Sequence, residues 1–354
     1  MSKGSGPAGI VLLPSGEPAS NATVFLYEAK AGVYMAKPGE FREDVTRAAR
    51  VQTDAAGRFS FAPKLQARGL IAIHDQGYAE LPLKDFGGTL ALQPWGRVEG
   101  KLTIGGRAVA DETISLGNMY YRYGDNGRSF PALSLWLEAT TDAQGAFVFE
   151  KVPPGECRIS HRLVPPGSRG GRIYDTQGLP VIVSAGAATR VEVGGAGRPI
   201  IGRLAFASTA RTPEWQSVVL LLRLKLPGAP GIRPARSDYA TTEAFMQAWK
   251  AFTEADRSFW TSEQGRELER SERTYSAFCA EDGSFSLPDI PPGTYELRVE
   301  MTETSRNSVG PSPEVPGVLL AREVVVPEGS TGHENDALDL GSLELKAPGD
   351  LTQK

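Results

Sequence analysis

The chain has 354 residues, 40% hydrophobic and 23% charged, with a formal net charge of -4. That length suits two or three domains better than one core, and the composition is that of a folded chain rather than a disordered one. The mildly acidic balance supplies no field that would draw it onto nucleic acid or an anionic membrane.

With 40 Gly and 26 Pro, chain-punctuating residues are frequent, which favours short strands joined by turns. The opening Met1–Pro7 has no apolar core of the kind a secretory signal needs, and no later stretch reaches membrane-spanning length. These residues read as a linker, as if the chain were a piece of a longer protein.

From Gly9 the sequence becomes strand-like. Gly9-Ile10-Val11 and Ala22–Tyr27 are the first predicted strands, and residues 29–49 read as an insertion. Thr53-Asp54-Ala55-Ala56-Gly57-Arg58-Phe59-Ser60-Phe61 follows: Asp can bond a turn backbone, Gly accepts positive φ, and apolar residues two apart share a strand face. Leu70–Ile73 returns as a strand, Leu90–Gln93 closes the unit, and a linker falls at 94–97.

The plan then repeats. Gly100-Lys101-Leu102 and Thr113–Leu116 lead to Thr141-Asp142-Ala143-Gln144-Gly145-Ala146-Phe147, then Pro153-Pro154-Gly155, a returning strand from Cys157, and Val181–Val193 with a turn at Gly186. A second linker falls at 194–199. In the third copy Gly202-Arg203-Leu204 and Val218–Leu226 precede Glu281-Asp282-Gly283-Ser284-Phe285, read as shorter before its Gly. Pro291-Pro292-Gly293 follows Phe285 at the offset at which Pro153-Pro154-Gly155 follows Phe147; the first copy has Leu65-Gln66-Ala67 there instead. Closing strands are expected at Arg322–Val326 and Gly341–Leu345.

Residues 227–274 interrupt the third copy. Phe245, Trp249, Phe252 and Phe259 recur at helical spacing after Thr241 or Thr242, a candidate cap. One or two helices are expected, with the aromatic stripe packed on its own sandwich or presented to a partner.

The G-x-V strand, the turn-rich Pro18–Thr23, the T-D-x-x-G-x-F hairpin and the P-P-G turn resemble the carboxypeptidase regulatory-like domain, a transthyretin-like β-sandwich. The resemblance implies an all-β fold of three tandem immunoglobulin-like or transthyretin-like β-sandwiches, with a helical insertion in the third. Boundaries are expected at 1–95 (insertion 29–49), 96–197 and 198–347 (insertion 227–274), with 348–354 as a tail. The resemblance also implies a scaffold, spacer or interaction role, an exported or cell-envelope location and further domains in a longer parent chain.

Catalytic parts are sparse. Zinc hydrolysis needs ligands around an open position, whereas His74, His161 and His333 fall in different units; an inter-unit site built on His74 or His161 is the enzyme alternative. Cys157 and Cys279 have no metal or redox spacing and read as buried thiols. Asp54, Asp142 and Asp282 read as turn formers rather than calcium ligands, and Lys101 lacks a downstream Asn or Asp for an isopeptide. No catalytic residue, metal or cofactor is expected.

The densest binding signal is Met119–Asn126 with Arg128, Phe130 and Trp136. Within it Tyr120, Tyr121, Arg122, Tyr123, Asp125 and Trp136 are the candidate ligand-binding residues: flat aromatic faces stack on sugars or anchor peptides, and Arg and Asp add directional bonds. A protein or glycan partner is the expectation; otherwise these tyrosines cover inter-sheet or inter-unit surface.

Overall fold

The computed structural model describes residues 6–28, 32–43, 46, 48–119, 132–163, 174–195, 197–206, 215, 218–226, 234, 239–301, 318–328 and 336–345. They form six β-sheets and two helices, an all-β fold of three sandwiches with a helical insertion in the third.

The first third of the chain contains β1 (Ala8–Leu12), β2 (Thr23–Glu28), β3 (Val33–Lys37), β4 (Glu40–Phe41), β5 (Ala49–Gln52), β6 (Arg58–Ser60), β7 (Ala67–His74), β8 (Gly77–Pro82) and β9 (Thr89–Ala91). Sheet β6-β1-β9 faces sheet β5-β2-β7-β8 across Val11, Val24, Leu26, Phe59, Leu70 and Leu90. In β2 and β7 both faces are buried, because Phe25, Tyr27, Ile71 and Ile73 belong to a second core.

The middle third supplies β10 (Gly96–Ile104), β11 (Arg107–Ala108), β12 (Thr113–Asn118), β13 (Leu133–Thr140), β14 (Ala146–Val152), β15 (Gly155–Leu163), β16 (Tyr174–Val183) and β17 (Ala188–Gly194). Strand β10 lies between β14 and β17 and also pairs with β11. Opposite stands a six-stranded sheet in the order β16-β15-β12-β13-β3-β4. Its last two strands come from segment 29–49, expected to interrupt the first sandwich. Val33, Tyr34 and Met35 instead pair in parallel with Leu133, Ser134 and Leu135, and Phe41 meets Phe25 edge-on at 4.7 Å. The sheet therefore covers both its own sandwich and the outer face of β2 and β7, joining the two in one core.

The last third contributes β18 (Arg198–Phe206), β19 (Val218–Leu224), α1 (Thr242–Thr261), α2 (Glu263–Ser271), β20 (Thr274–Phe278), β21 (Ser284–Ile290), β22 (Gly293–Met301), β23 (Val318–Val326) and β24 (Leu338–Leu345). Sheets β21-β18-β24 and β20-β19-β22-β23 enclose a separate core around Leu220, Leu297 and Tyr295. The Thr241 hydroxyl accepts from Ala244 N–H at 3.1 Å and caps α1. Its aromatic stripe is only half-buried, Trp260 being the one buried side chain of α1. The insertion reaches the second sandwich: Arg158 donates to the Glu272 and Glu269 carbonyls at the end of α2, at 3.3 and 3.4 Å, and Arg270 pairs with Glu156 at 2.7 Å.

The repeated turns work as their chemistry demands. Asp54 Oδ1 accepts from Ala56 and Arg58 N–H at 2.9 and 2.8 Å, and Asp142 Oδ1 from Gln144 and Ala146 N–H at 2.9 and 2.8 Å. Gly57, Gly145 and Gly283 adopt φ of 71°, 73° and 82°. The third turn is not shortened. Ala280 exchanges backbone bonds with Ser284 and Gly283 as Asp54 does with Arg58 and Gly57, so Ala280 holds the Asp position and Cys279 that of buried Thr53. Asp282 sits two residues later and accepts from Ser284 instead.

The second and third sandwiches meet along β16 and β20. Ser276 N–H donates to Thr176 Oγ1 at 3.2 Å, Ser276 Oγ to the Asp175 carbonyl at 3.1 Å, and Tyr174 meets Phe278 edge-on at 5.1 Å. Asp289, 4% exposed and at φ 56°, accepts from Gly105 N–H at 2.7 Å; Lys151, two residues before the Pro pair of the second copy, is likewise at φ 49°.

Candidate binding face on the shared sheet

Alternation along β13 sends Leu133, Leu135 and Leu137 into the core and Ser134, Trp136 and Glu138 outward. Trp136 is 44% exposed. Gly117 lies opposite it on β12; with no side chain there, the indole can lie across β12 toward β15. The Arg162 guanidinium stands 5.6 Å from the ring centroid, a cation–π distance. Trp136 Nε1–H donates to Glu138 Oε1 at 2.8 Å, and the same oxygen forms an ion pair with Arg162. Arg, Trp and Glu thus fix one another.

Two neighbours extend the face. On β3, Tyr34 pairs with Ser134 and is 44% exposed, a diagonal neighbour of Trp136 on the same side, within reach of a shared ligand. Toward β16, Asp175 pairs in register with Arg162 and accepts from Ser115 Oγ at 3.2 Å. Burial pushes the Asp175 carboxyl up, opposed by the Ser115 bond and then by Arg162 and Arg158. Among the described residues Glu138 and Asp175 thus stand against Arg158 and Arg162, a balance close to neutral.

Of the candidates named from sequence, Trp136 is on this face. Tyr120, Tyr121, Arg122, Tyr123 and Asp125 lie outside the described residues; their connection leaves β12 after Asn118 and enters β13 at Leu133, beside Val33. Asn118 Oδ1 accepts from Leu135 N–H at 2.6 Å, closing the ladder where the connection begins. Sequence reasoning missed Tyr34 because its segment was assigned to an interruption of the first sandwich; the alternation Val33, Tyr34, Met35 was the available signal.

Of the other titratable groups singled out from sequence, His333 lies outside the described residues and the rest sit away from this face. His161 is 4% exposed and 2.9 Å from Glu112, while His74 Nδ1 accepts from Gln76 N–H and its carbonyl from Trp95. Burial pushes both thiols, Cys157 and Cys279, up to about 12. Lys101 is exposed beside Glu192. Among the described residues no cluster of His, Cys, Asp and Glu could hold a metal ion, and no helix is long and apolar enough to cross a membrane.

No protein-family model and no curated protein sequence matches this chain. Among solved structures it is similar to a candidate carbohydrate binding protein from Pseudomonas aeruginosa, at 22% identity over 28% of this chain and 88% of that one, TM-score 0.20. It is also similar to the minor pilin of Streptococcus agalactiae, at 11% identity over 53% and 94% of the two chains, TM-score 0.26. A third likeness is the shaft pilin of Lactobacillus rhamnosus GG, at 9% identity over 55% and 99%, TM-score 0.21. None of these likenesses is close enough to carry a function to this chain.

Proposed function

We propose that the chain is a non-enzymatic interaction protein, a stiff row of β-sandwiches that serves as scaffold and presents the outer face of its six-stranded sheet to a partner. The observation that carries this reading is the half-exposed Trp136, clamped by Arg162 and Glu138 and flanked by Tyr34. An aromatic side chain held in place on a rigid strand loses little entropy on binding. The first two sandwiches share a core, and the third is tied to the second by the Arg158 and Arg270 contacts. Among the described residues, the buried thiols and the partnered His74 and His161 lend no support to the inter-unit enzyme alternative. The proposed location, exported or on the cell envelope, follows from the family resemblance.

A carbohydrate partner is the reading that Trp136 and Tyr34 favour. Two aromatic side chains on a nearly neutral face, among hydroxyls and balanced charges, suit an uncharged glycan, whose rings stack and whose hydroxyls need donors and acceptors. The test is affinity electrophoresis through gels containing neutral polysaccharides. Retardation of the native chain, lost in Trp136→Ala and reduced in Tyr34→Ala, is expected; unretarded migration across a broad panel leaves a scaffold with a protein partner.

A further inference from the structure

A second site, independent of the aromatic face, is built into the first sandwich. Strands β8 and β9 begin to pair and then separate. Tyr78 and Gln93 exchange both backbone bonds, each 2.9 Å, but this is an isolated rung. Continued antiparallel pairing would set Glu80 against Ala91 and Pro82 against Thr89. Instead the strands splay, and a cleft of about 520 Å³ opens between Tyr78–Leu81 and Thr89–Ala91, walled on the far side by the Pro153-Pro154 turn of the second sandwich.

The direction of the backbone groups follows from the register. Gly88 and Leu92 bond to β1 at Ile10 and Leu12, so the alternate residues Thr89 and Ala91 turn their N–H and C=O toward the cleft. Both are exposed, and among the described residues nothing bonds them on that side. An open strand edge is a template for an added strand, and this one lies in a cleft of ligand-binding size, ~300–1,000 Å³. The acidic side chains on the walls are Glu80 and Glu156, beside the Tyr78 phenol and the Cys157 thiol; no Lys, Arg or His lines it. Tyr78 Oη donates to Glu80 at 2.7 Å, and Glu156 pairs with Arg270, so both carboxylates are held in place. Directly opposed residues of an antiparallel pair share a face. A residue paired with Ala91 or Glu80 would therefore point toward the carboxylates, and its neighbours toward Leu90 and the apolar interior.

We infer that the fork between β8 and β9 accepts an extended partner segment as an added strand, with basic residues at alternate positions and apolar residues between them.

The probe is fluorescein-labelled Val-Lys-Val-Lys-Val, followed by anisotropy against the full chain. Saturable binding is expected, weakened at least ~5-fold by backbone N-methylation of the two lysines, which lie opposite Thr89 and Ala91, by Lys-to-Glu exchange in the peptide and by Ala91→Pro, since each good pairing or charge contact is worth about that factor. Proline at 91 removes one donor on the cleft side and leaves the β1 bonds of Gly88 and Leu92, so an unchanged melting temperature should accompany the loss. Should that variant misfold, the N-methylated and glutamate peptides decide on the native chain alone. Absence of saturable binding, equal affinity for N-methylated or glutamate peptides, or a signal that tracks self-association of the chain would each overturn the inference.

Discussion

Met35 of β3 lies in parallel register with Leu135 of β13, and the two side chains, 0% and 2% exposed, sit in one core although a hundred residues separate them. A strand from the first third of the chain therefore completes the principal sheet of the second.

The first consequence concerns cooperativity. Met35→Ala should cost about 2–5 kcal/mol, as buried Met truncations do, and should lower the stability of the first two sandwiches together. Denaturation followed by hydrogen exchange in β7 and β13 checks this: joint loss of protection is expected, whereas loss confined to one sandwich would mean that the shared core does not couple them.

The Trp136 clamp makes a quantitative prediction. Each of Trp136→Ala and Arg162→Ala should leave the fold intact, and the double-mutant cycle should give a coupling of about 0.5–1 kcal/mol, typical of a partly exposed cation–π pair. Urea unfolding of the four proteins measures it; additive effects would mean that the arginine does not hold the ring.

Turn chemistry distinguishes the copies. Asp142→Ala removes two hydrogen bonds at Asp142 Oδ1 and should cost about 1–2 kcal/mol. Gly145→Val places a branched side chain at φ 73° with its Cβ 2.5 Å from the Leu102 carbonyl oxygen and should cost more. Glu281→Ala, by contrast, alters a turn whose backbone role belongs to Ala280, and its melting temperature should stay close to that of the native chain.

The joint between the second and third sandwiches should respond to pH. Burial raises the Asp289 and Asp175 carboxyls above the ordinary carboxylate value. A raised folded pKa means that the folded chain holds these protons to higher pH than the unfolded chain does. Their contribution to stability is therefore greatest below the unfolded pKa of about 3.9 and falls as pH rises through the folded values. Asp289→Asn keeps an oxygen for Gly105 N–H and should flatten that slope; urea unfolding of both proteins across mildly acidic pH checks the sign.

The three sandwiches were legible because each depends on local chemistry. A turn-forming aspartate, a glycine at positive φ, alternate apolar residues and a strand-ending proline pair occupy adjacent positions and repeat. The crossing of β3 was not legible, since five alternating residues fix a strand but not the sheet it joins. That choice depends on Met35 finding Leu135 and Phe41 finding Phe25, contacts far apart in sequence. The third turn was misregistered for a similar reason: Asp282 resembles Asp54 in type, while the backbone places Ala280 at that position. Trp136 stood out from its aromatic context, but Tyr34, Glu138 and Arg162 become its neighbours only through sheet order.

The most direct test of the aromatic face is nuclear magnetic resonance of the full chain titrated with oligosaccharides cut from any polysaccharide that retards it. The expected result is a saturable shift of the Trp136 indole N–H and of Tyr34, with the α1 tryptophans and the β8–β9 fork unmoved. Shifts that spare Trp136 and Tyr34, or no shift with any neutral glycan, would contradict a carbohydrate-recognising role for this face.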